Sequence, residues 1–431
     1  LHILNVETGT LATLFDPEVR SSYHDFVFAP DGSGFWMATN HGREFHALVY
    51  MNLVTYAQTG DAEASLSVVH SHDDRDIGDV ALVGQTLVWT ENDGGYSKLG
   101  ALNIKNGREV KLPELMDGTY TLSAAKEAET LAVSIRGPQT PGTVVAIDLS
   151  GRLARARIVG HPTDGGLPIE TFSAPEDVRF AAQDGVMLQG LLYRPETGAG
   201  EIPVVINVHG GPTAQARPRF NPLAQYLMTR GIAVLDLNFR GSTGFGKTFT
   251  RLDDQMQRTN AVRDVADAVA WIDAQDGLDA DRVAVMGGSY GGYLTNAAVG
   301  TYPDLFRAGI SLVGVADWVR ALEGASPLLK ASDVIEYGDI NDPDVVAFHR
   351  SISPINTVGN ITAAMMFSHG ANDPRDPVAE SDSMVADLRA RGVEVRYLRW
   401  PDEGHSVRKL NNRVYLYEEI ARFLEKTLTE D

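Results

Sequence analysis

Five short apolar runs recur along the second half of the chain: VVINVHG (204–210), IAVLDLNF (232–239), RVAVMGG (282–288), AGISLVG (308–314) and AAMMFSHG (363–370). Amphipathic stretches such as AVRDVADAVAWIDA (261–274) and PVAESDSMVADLRARG (377–392) lie between them. Runs this short, apolar on both faces, suit strands buried inside a parallel sheet, and parallel neighbours need the crossover that an amphipathic helix supplies. The alternation predicts a doubly wound, mostly parallel α/β domain over 166–431, with functional groups following the carboxyl ends of its strands.

Residues 1–165 keep a different rhythm. An apolar strand followed by a polar turn recurs as ILNVETG (3–9), YMNLVTYAQTG (50–60), ALNIKNG (101–107) and VAIDLSG (145–151). Aligned on Asn5, Asn52, Asn103 and Asp148, the copies are spaced by about 45 to 50 residues, close to one four-stranded blade of a β-propeller. A second set, FVFAPDGSGFWMAT (26–39), VALVGQTLVWTE (80–91) and TLSAAKEAETLAVS (121–134), keeps the same period, each copy a turn leading into an apolar strand. The expectation is an all-β partial propeller of about three blades plus one strand, open or completed by other sequence. A β-sandwich is the alternative.

The net charge of −20 opposes nucleic-acid binding and adsorption to anionic membranes. The absence of cysteine excludes disulfides, thiolate metal sites and a cysteine nucleophile. No run approaches the roughly 18 apolar residues of a membrane span, and LHILNVETGT lacks the layout of a signal peptide, so a cytoplasmic location is expected. The chain starts without methionine, which leaves a processed or truncated amino terminus open. The stretch HSHDD (70–74) offers plausible zinc ligands but reads more simply as a solvated loop. No metal or cofactor is expected.

The densest chemical signal is GGSYGG (287–292). It fits G-x-S-x-G after a strand and before a helix, the nucleophile elbow of an α/β hydrolase, where side chains two residues either side of the serine would meet backbone. Ser289 is the candidate nucleophile, and it requires a base and a group that orients the base. In this fold the order is Ser, acid, His, which leaves His349, His369 and His405. His405, in the loop after the last apolar strand, is favoured. The acid follows the preceding strand, where Asp373 is favoured over Asp376. The backbone N–H of Tyr290 and of Gly211, in VHGGPT (208–213), are the expected oxyanion donors. The Tyr290 ring is given no catalytic part, and His209 reads as a brace for its loop.

Together these residues resemble the prolyl oligopeptidase family of serine peptidases, particularly its acylaminoacyl-peptidase and dipeptidyl-peptidase-like branches. The resemblance runs from about 168 to 431 through HGGP, NFRGSTGFGKTF (238–249), GGSYGGY, YGDINDP (337–343), SPINTV (353–358), HGANDPR and DEGHS. It implies an amino-terminal propeller, hydrolysis of short peptides or acyl-peptides through an acyl-enzyme, and a triad of Ser289, Asp373 and His405. It also implies that Arg375 hydrogen-bonds a substrate carbonyl and that Trp318 lines the pocket for the residue on the acyl side of the cut. A carboxylesterase using the same triad is the runner-up, and a binding module built on a hydrolase scaffold is a third reading. The chain departs from the family where the acid-loop arginine is followed by Asp376-Pro377 rather than the common Val-Pro. The family's propellers also have about seven or eight blades, more than these repeats supply, so a homo-oligomer or a partner chain could complete the array.

Overall fold

The computed structural model describes residues 1–125, 128–161, 166–167, 171–196 and 200–429, so the expected boundary residue 165 lies outside it. The chain divides into two units, one of Leu1–Phe172, Arg217–Phe220 and Gly244–Thr248, the other of Ser173–Ala216, Asn221–Thr243 and Phe249–Asp431.

The first unit is antiparallel throughout. Strands β1 (His2–Leu4) and β2 (Leu11–Thr13) form a hairpin. The next sheet comprises β3 (Tyr23–Phe28), β4 (Gly34–Thr39), β5 (Ala47–Asn52) and β6 (Leu66–His70), with α1 (Leu53–Thr59) between β5 and β6. A three-stranded sheet follows, of β7 (Ile77–Val83), β8 (Thr86–Asp93) and β9 (Tyr96–Asn103). The last sheet is β10 (Thr119–Ala124), β11 (Thr130–Gly137), β12 (Thr140–Asp148) and β13 (Arg155–Gly160).

The recurring Asn/Asp of the sequence repeat has one physical job. Asn52, Asn103 and Asp148 each end the third strand of a sheet, and their side chains turn the chain by accepting backbone N–H groups two or three residues on. Asn52 accepts from Thr55 at 2.9 Å, Asn103 from Lys105 at 3.1 Å and Asp148 from Ser150 at 2.9 Å. Asn5, after β1, does the same for Glu7 and Thr8 at 3.0 Å each. These are Asx turns, which short polar side chains form at little cost.

Alternation along β8 divides the core of this unit. Leu87 and Trp89 pack with Trp36, Leu48 and Ile77 on one side, while Val88 packs with Leu131, Val133 and Ile147 on the other. Each fully buried aliphatic side chain contributes about 1.5–3 kcal/mol relative to exposure, so consecutive sheets are held by period-two patterning. The short segments 217–220 and 244–248 join this unit through named bonds. Arg217 Nε donates to the Gly95 carbonyl at 2.8 Å, Lys247 Nζ to the Asn40 carbonyl at 2.8 Å, and Thr248 N–H to Glu44 Oε1 at 2.6 Å.

The second unit is the mostly parallel, doubly wound sheet expected of the carboxyl-terminal half. Its strands are β14 (Glu176–Ala181), β15 (Met187–Tyr193), β16 (Ile202–Val208), β17 (Ala233–Asn238), β18 (Leu278–Gly288), β19 (Ala308–Leu312), β20 (Ala364–Gly370) and β21 (Val395–Trp400). The spatial order is β14-β15-β17-β16-β18-β19-β20-β21, antiparallel at β14/β15 and β15/β17 and parallel elsewhere. Helices follow as α2 (Pro222–Met228), α3 (Gly246–Thr250), whose first three residues group with the first unit, α4 (Thr259–Asp273), α5 (Tyr290–Thr301), α6 (Trp318–Gly324), α7 (Pro327–Tyr337), α8 (Pro343–Ile352), α9 (Ala379–Ala390) and α10 (Leu410–Leu428).

One face of the sheet packs on α4, α5 and α9 through Val265, Leu294 and Met384, the other on α2 and α10 through Leu227, Ile420 and Leu424. Register brings the carboxyl ends together: Val208 lies opposite Gly287, Gly288 opposite Leu312, and Gly370 opposite Trp400. Every loop that leaves this edge can therefore reach its neighbour. Among the described residues no helix is long and apolar enough to cross a membrane.

Candidate active site

Ser289 sits between β18 and α5 with φ 57° and ψ −119°, a conformation that costs a non-glycine residue roughly 1–3 kcal/mol. The turn is possible because glycines flank it. A Cβ on Gly287 would lie 2.4 Å from the Gly291 carbonyl oxygen, and one on Gly291 would lie 2.2 Å from that of Val208. Ser289 N–H donates to the Leu312 carbonyl at 2.8 Å, which pins the tip of the turn to the end of β19.

The loops after β20 and β21 are fastened together. Asn372 N–H donates to the Glu403 carbonyl at 3.0 Å and its side-chain amide to the Pro401 carbonyl at 2.9 Å. Glu403, buried, accepts the N–H of Arg408 and of Lys409 at 3.1 Å each and Asn412 Nδ2 at 2.7 Å. This clamp holds His405 against the acid loop, and His405 Nδ1 lies 2.8 Å from Asp373 Oδ2. Sequence reasoning passed over Glu403, although it lies two residues before the candidate histidine in DEGHS.

Asp373 is buried, and burial alone would raise its pKa. Hydrogen bonds from His369 and His405 and from the N–H groups of Arg375 and Asp376 outweigh burial and hold the carboxyl well below the usual range. His405 is in turn raised, first by its bond to Asp373, against the opposing effect of burial, and further by the charges of Asp373 and Asp376. An ionised acid beside an imidazole, with Nδ1 engaged and Nε2 left for proton transfer, is the arrangement a serine nucleophile needs.

Asp376 enters where the sequence left it second. Ser289 Oγ donates to Asp376 Oδ2 at 3.4 Å, and Asp376 Oδ2 is 3.7 Å from His405 Nδ1. Among the described residues no hydrogen bond joins Ser289 Oγ to His405. Burial, reinforced by the charge of Asp373, pushes the Asp376 carboxyl up to about 6.

The remaining histidines are braces. His369, buried, lies 2.9 Å from the Asp376 carbonyl and 2.7 Å from Ser381 Oγ. His349 Nε2 meets the Tyr337 carbonyl at 2.7 Å. His209 stacks on Phe239 with ring centroids 4.4 Å apart and meets Ser242 Oγ at 2.8 Å, and burial pulls its pKa down to about 4.

Beside Ser289 opens a cleft enclosing about 480 Å³, counted to its open mouth. Gly211 and Tyr290 line it near the serine, and Trp318, Leu322, Leu329 and Tyr337 give it an apolar wall. Arg375, Asp376 and Asp333 supply polar groups. Arg375 is exposed, and among the described residues its guanidinium has no hydrogen-bonding partner. Trp318 is buried, its ring 4.9 Å from that of Tyr293 and 4.8 Å from that of Tyr337. It opens α6, whose entry is fixed by Glu380 accepting the N–H groups of Ala316 and Asp317 at 2.8 Å each.

Tyr290 presents two distinct groups, a helix-start N–H and a phenol. Its N–H is the first of α5, and the first N–H groups of a helix have no intrahelical acceptor, so it is available to an oxyanion. Its phenol is buried, donating to Asp253 Oδ2 at 2.9 Å and accepting from Arg258 Nη1 at 3.1 Å. Arg258, fully buried, bonds Asp253 at 2.5 Å and Glu336 at 2.8 Å. The phenol therefore completes an ion network that the sequence did not reveal.

The sequence profile of the prolyl oligopeptidase family matches residues 218–431. That part of the chain belongs to the prolyl oligopeptidase family. Dipeptidyl peptidase family member 6 of Caenorhabditis elegans is 38% identical over 244 residues, 54% of this chain and 33% of that protein. Dipeptidyl aminopeptidase BIII of Pseudoxanthomonas mexicana is 32% identical over 312 residues, 70% of this chain and 43% of that protein. The chain thus spans less than half the length of either relative. A puromycin-hydrolyzing peptidase of Mycobacterium tuberculosis superposes with a TM-score of 0.82 at 22% identity, over 95% of this chain and 62% of that one. At that identity the likeness speaks for the fold, and it extends over both units of this chain.

Proposed function

We propose that this chain is a serine peptidase that cleaves short peptides or acyl-peptides through an acyl-enzyme, with Ser289 as nucleophile, His405 as base and Asp373 as the group that orients and stabilises it. The observation that carries this reading is the 2.8 Å contact between His405 Nδ1 and an Asp373 carboxylate held ionised by four donors, beside a serine lifted on a strained turn. On this reading Ser289 rotates from Asp376 towards His405 as substrate enters. His405 Nε2 takes its proton as Oγ bonds the carbonyl carbon, and the oxyanion is met by the N–H groups of Tyr290 and Gly211. The imidazolium then gives that proton to the leaving amine. Water, activated by the same imidazole, releases the acyl group. Arg375 is assigned to a substrate carbonyl and Trp318 to the wall of the acyl-side pocket.

We read the three larger sheets of the first unit as blades of a partial propeller with the boundary near 165, and a second copy or a partner chain as what would complete it. The cytoplasmic location expected from the sequence is retained as a proposal, tested by cell fractionation. Labelling with an organophosphonate should modify Ser289 alone, and a peptide anilide should be turned over along with a nitrophenyl ester. Fast ester hydrolysis with no anilide cleavage would assign a carboxylesterase. No labelling would leave the hydrolase half as a scaffold.

A further inference from the structure

In the first unit His70, His72 and Glu91 converge on one point. His70 ends β6, the edge strand of one sheet; His72 follows two residues on; Glu91 lies in β8, the central strand of the next sheet. The two Nε2 atoms are 3.1 Å apart, Glu91 Oε1 is 3.3 Å from His70 Nε2, and Glu91 Oε2 is 3.0 Å from His72 Nε2. Ligand atoms at about 2.0–2.1 Å from one zinc ion, separated by angles of about 95–110°, stand about 3.0–3.4 Å from each other. The two imidazole nitrogens stand at the separation that one ion would impose, and Glu91 turns one carboxylate oxygen towards each of them, so the three residues converge with a coordination position to spare.

The chemistry of the three groups agrees with their spacing. Two imidazole nitrogens this close cannot both turn N–H groups at each other, so at least one lone pair faces inward, and the carboxylate adds negative charge at the same point. Trp89 Nε1 donates to Glu91 Oε1 at 3.1 Å, which orients the carboxylate as hydrogen bonds to ligands in metal sites do, and the Trp89 ring packs 4.9 Å from that of His70. The neighbouring cation, Arg75, is engaged by Asp74 at 3.0 Å and Asp93 at 3.1 Å. The histidine side chains are 35% and 28% exposed and that of Glu91 15%, so an ion can enter from solvent. The other grouping of this kind, Asp253 with Asp254 and Glu336, already holds a cation in the Arg258 guanidinium.

We propose that His70, His72 and Glu91 form a site for a divalent transition metal, suited to Zn²⁺, that ties edge strand β6 to β8 of the neighbouring sheet and leaves one position for water. Two nitrogen donors and one carboxylate favour such an ion over Mg²⁺ or Ca²⁺, which take oxygen sets. This revises the expectation of no metal: the two histidines of HSHDD contribute, but the carboxylate comes from another strand, while Asp74 is paired with Arg75.

The test is titration of the chelator-treated full chain with Zn²⁺ by calorimetry and with Co²⁺ by visible absorption. One equivalent should bind, Co²⁺ should give the intense visible band of a four-coordinate ion, and Zn²⁺ should raise Tm. His72→Ala should weaken Zn²⁺ binding by roughly 100-fold, at the upper end of what loss of even an outer partner costs. Glu91→Gln, which keeps the acceptor for Trp89, should weaken it while far-UV circular dichroism stays unchanged. Organophosphonate labelling of Ser289 should be unaffected in both variants, which separates this test from that of the peptidase reading. Absence of saturable binding by the wild-type chain, or binding that neither substitution changes, would overturn the proposal and leave a shared proton as the account of the close imidazoles.

Discussion

In the eight-stranded sheet, Ser289, Asp373 and His405 each follow the carboxyl end of a parallel strand, whereas in the all-β unit His70 closes an edge strand and Glu91 lies inside the central strand of a different sheet. Parallel strands deliver all their carboxyl ends to one edge, so residues far apart in the chain meet there as a matter of topology. Antiparallel strands send alternate ends to opposite edges, and a meeting such as that of His70 with Glu91 depends on how two sheets pack. The first kind of cluster sits on loops, with a cleft beside it. The second is a cross-strap within a framework.

If that contrast is sound, the first cluster should govern rate and the second cohesion. The largest test is Ser289→Ala, expected to lower kcat/KM for a peptide anilide by roughly 10⁵-fold or more while leaving Tm and Zn²⁺ affinity alone. Turnover within tenfold of the parent would dissolve the distinction. Asp373→Asn comes next, with a loss of about 10⁴-fold because the imidazole loses the carboxylate that sets its tautomer. Asp376→Asn, one turn of the same loop away, should cost far less, and equal losses would show that the two carboxylates act as one.

Tyr290→Phe sharpens the contrast from inside the α/β unit. Removing the hydroxyl strips a donor from Asp253 and an acceptor from Arg258, so stability should fall by about 1–3 kcal/mol in urea unfolding, with kcat per folded molecule changed only a few-fold. A large fall in kcat at unchanged stability would give the phenol a part in the chemistry.

The smallest effect is on pH. His405 must be neutral to act as base, and its raised pKa means that kcat/KM falls as pH drops through that raised value. Asp376, pushed up to about 6 by burial, is ionised above that pH and adds to the elevation of His405. In Asp376→Asn the acidic limb of the profile should therefore move to lower pH, by less than about one unit. A limb that stays put or moves up would show that this carboxyl does not act on the imidazole.

Legibility followed the same division. The strand ends of the α/β half and the Asn/Asp turns of the repeat half are local features, and local chemistry writes them into short stretches of sequence. The candidate nucleophile, acid and base could be picked out because each has to sit just past a strand. Long-range packing was not readable: the approach of Glu91 to two histidines, the hydrogen bond from Ser289 to Asp376, the tie between Asn372 and the Glu403 carbonyl, and the burial of the Tyr290 phenol against Arg258. The regrouping of 217–220 and 244–248 with the first unit is of that kind too, since both segments lie between strands of the other sheet.

That interlacing limits how the protein can be divided. Because the chain leaves the second unit and returns to it at 217–220 and again at 244–248, no single cut in the backbone yields two complete pieces. A protease nick near 172 should leave the amino-terminal half lacking two stretches that the other half carries, and a gene fragment starting there would encode the α/β strands together with two orphaned stretches of their neighbour.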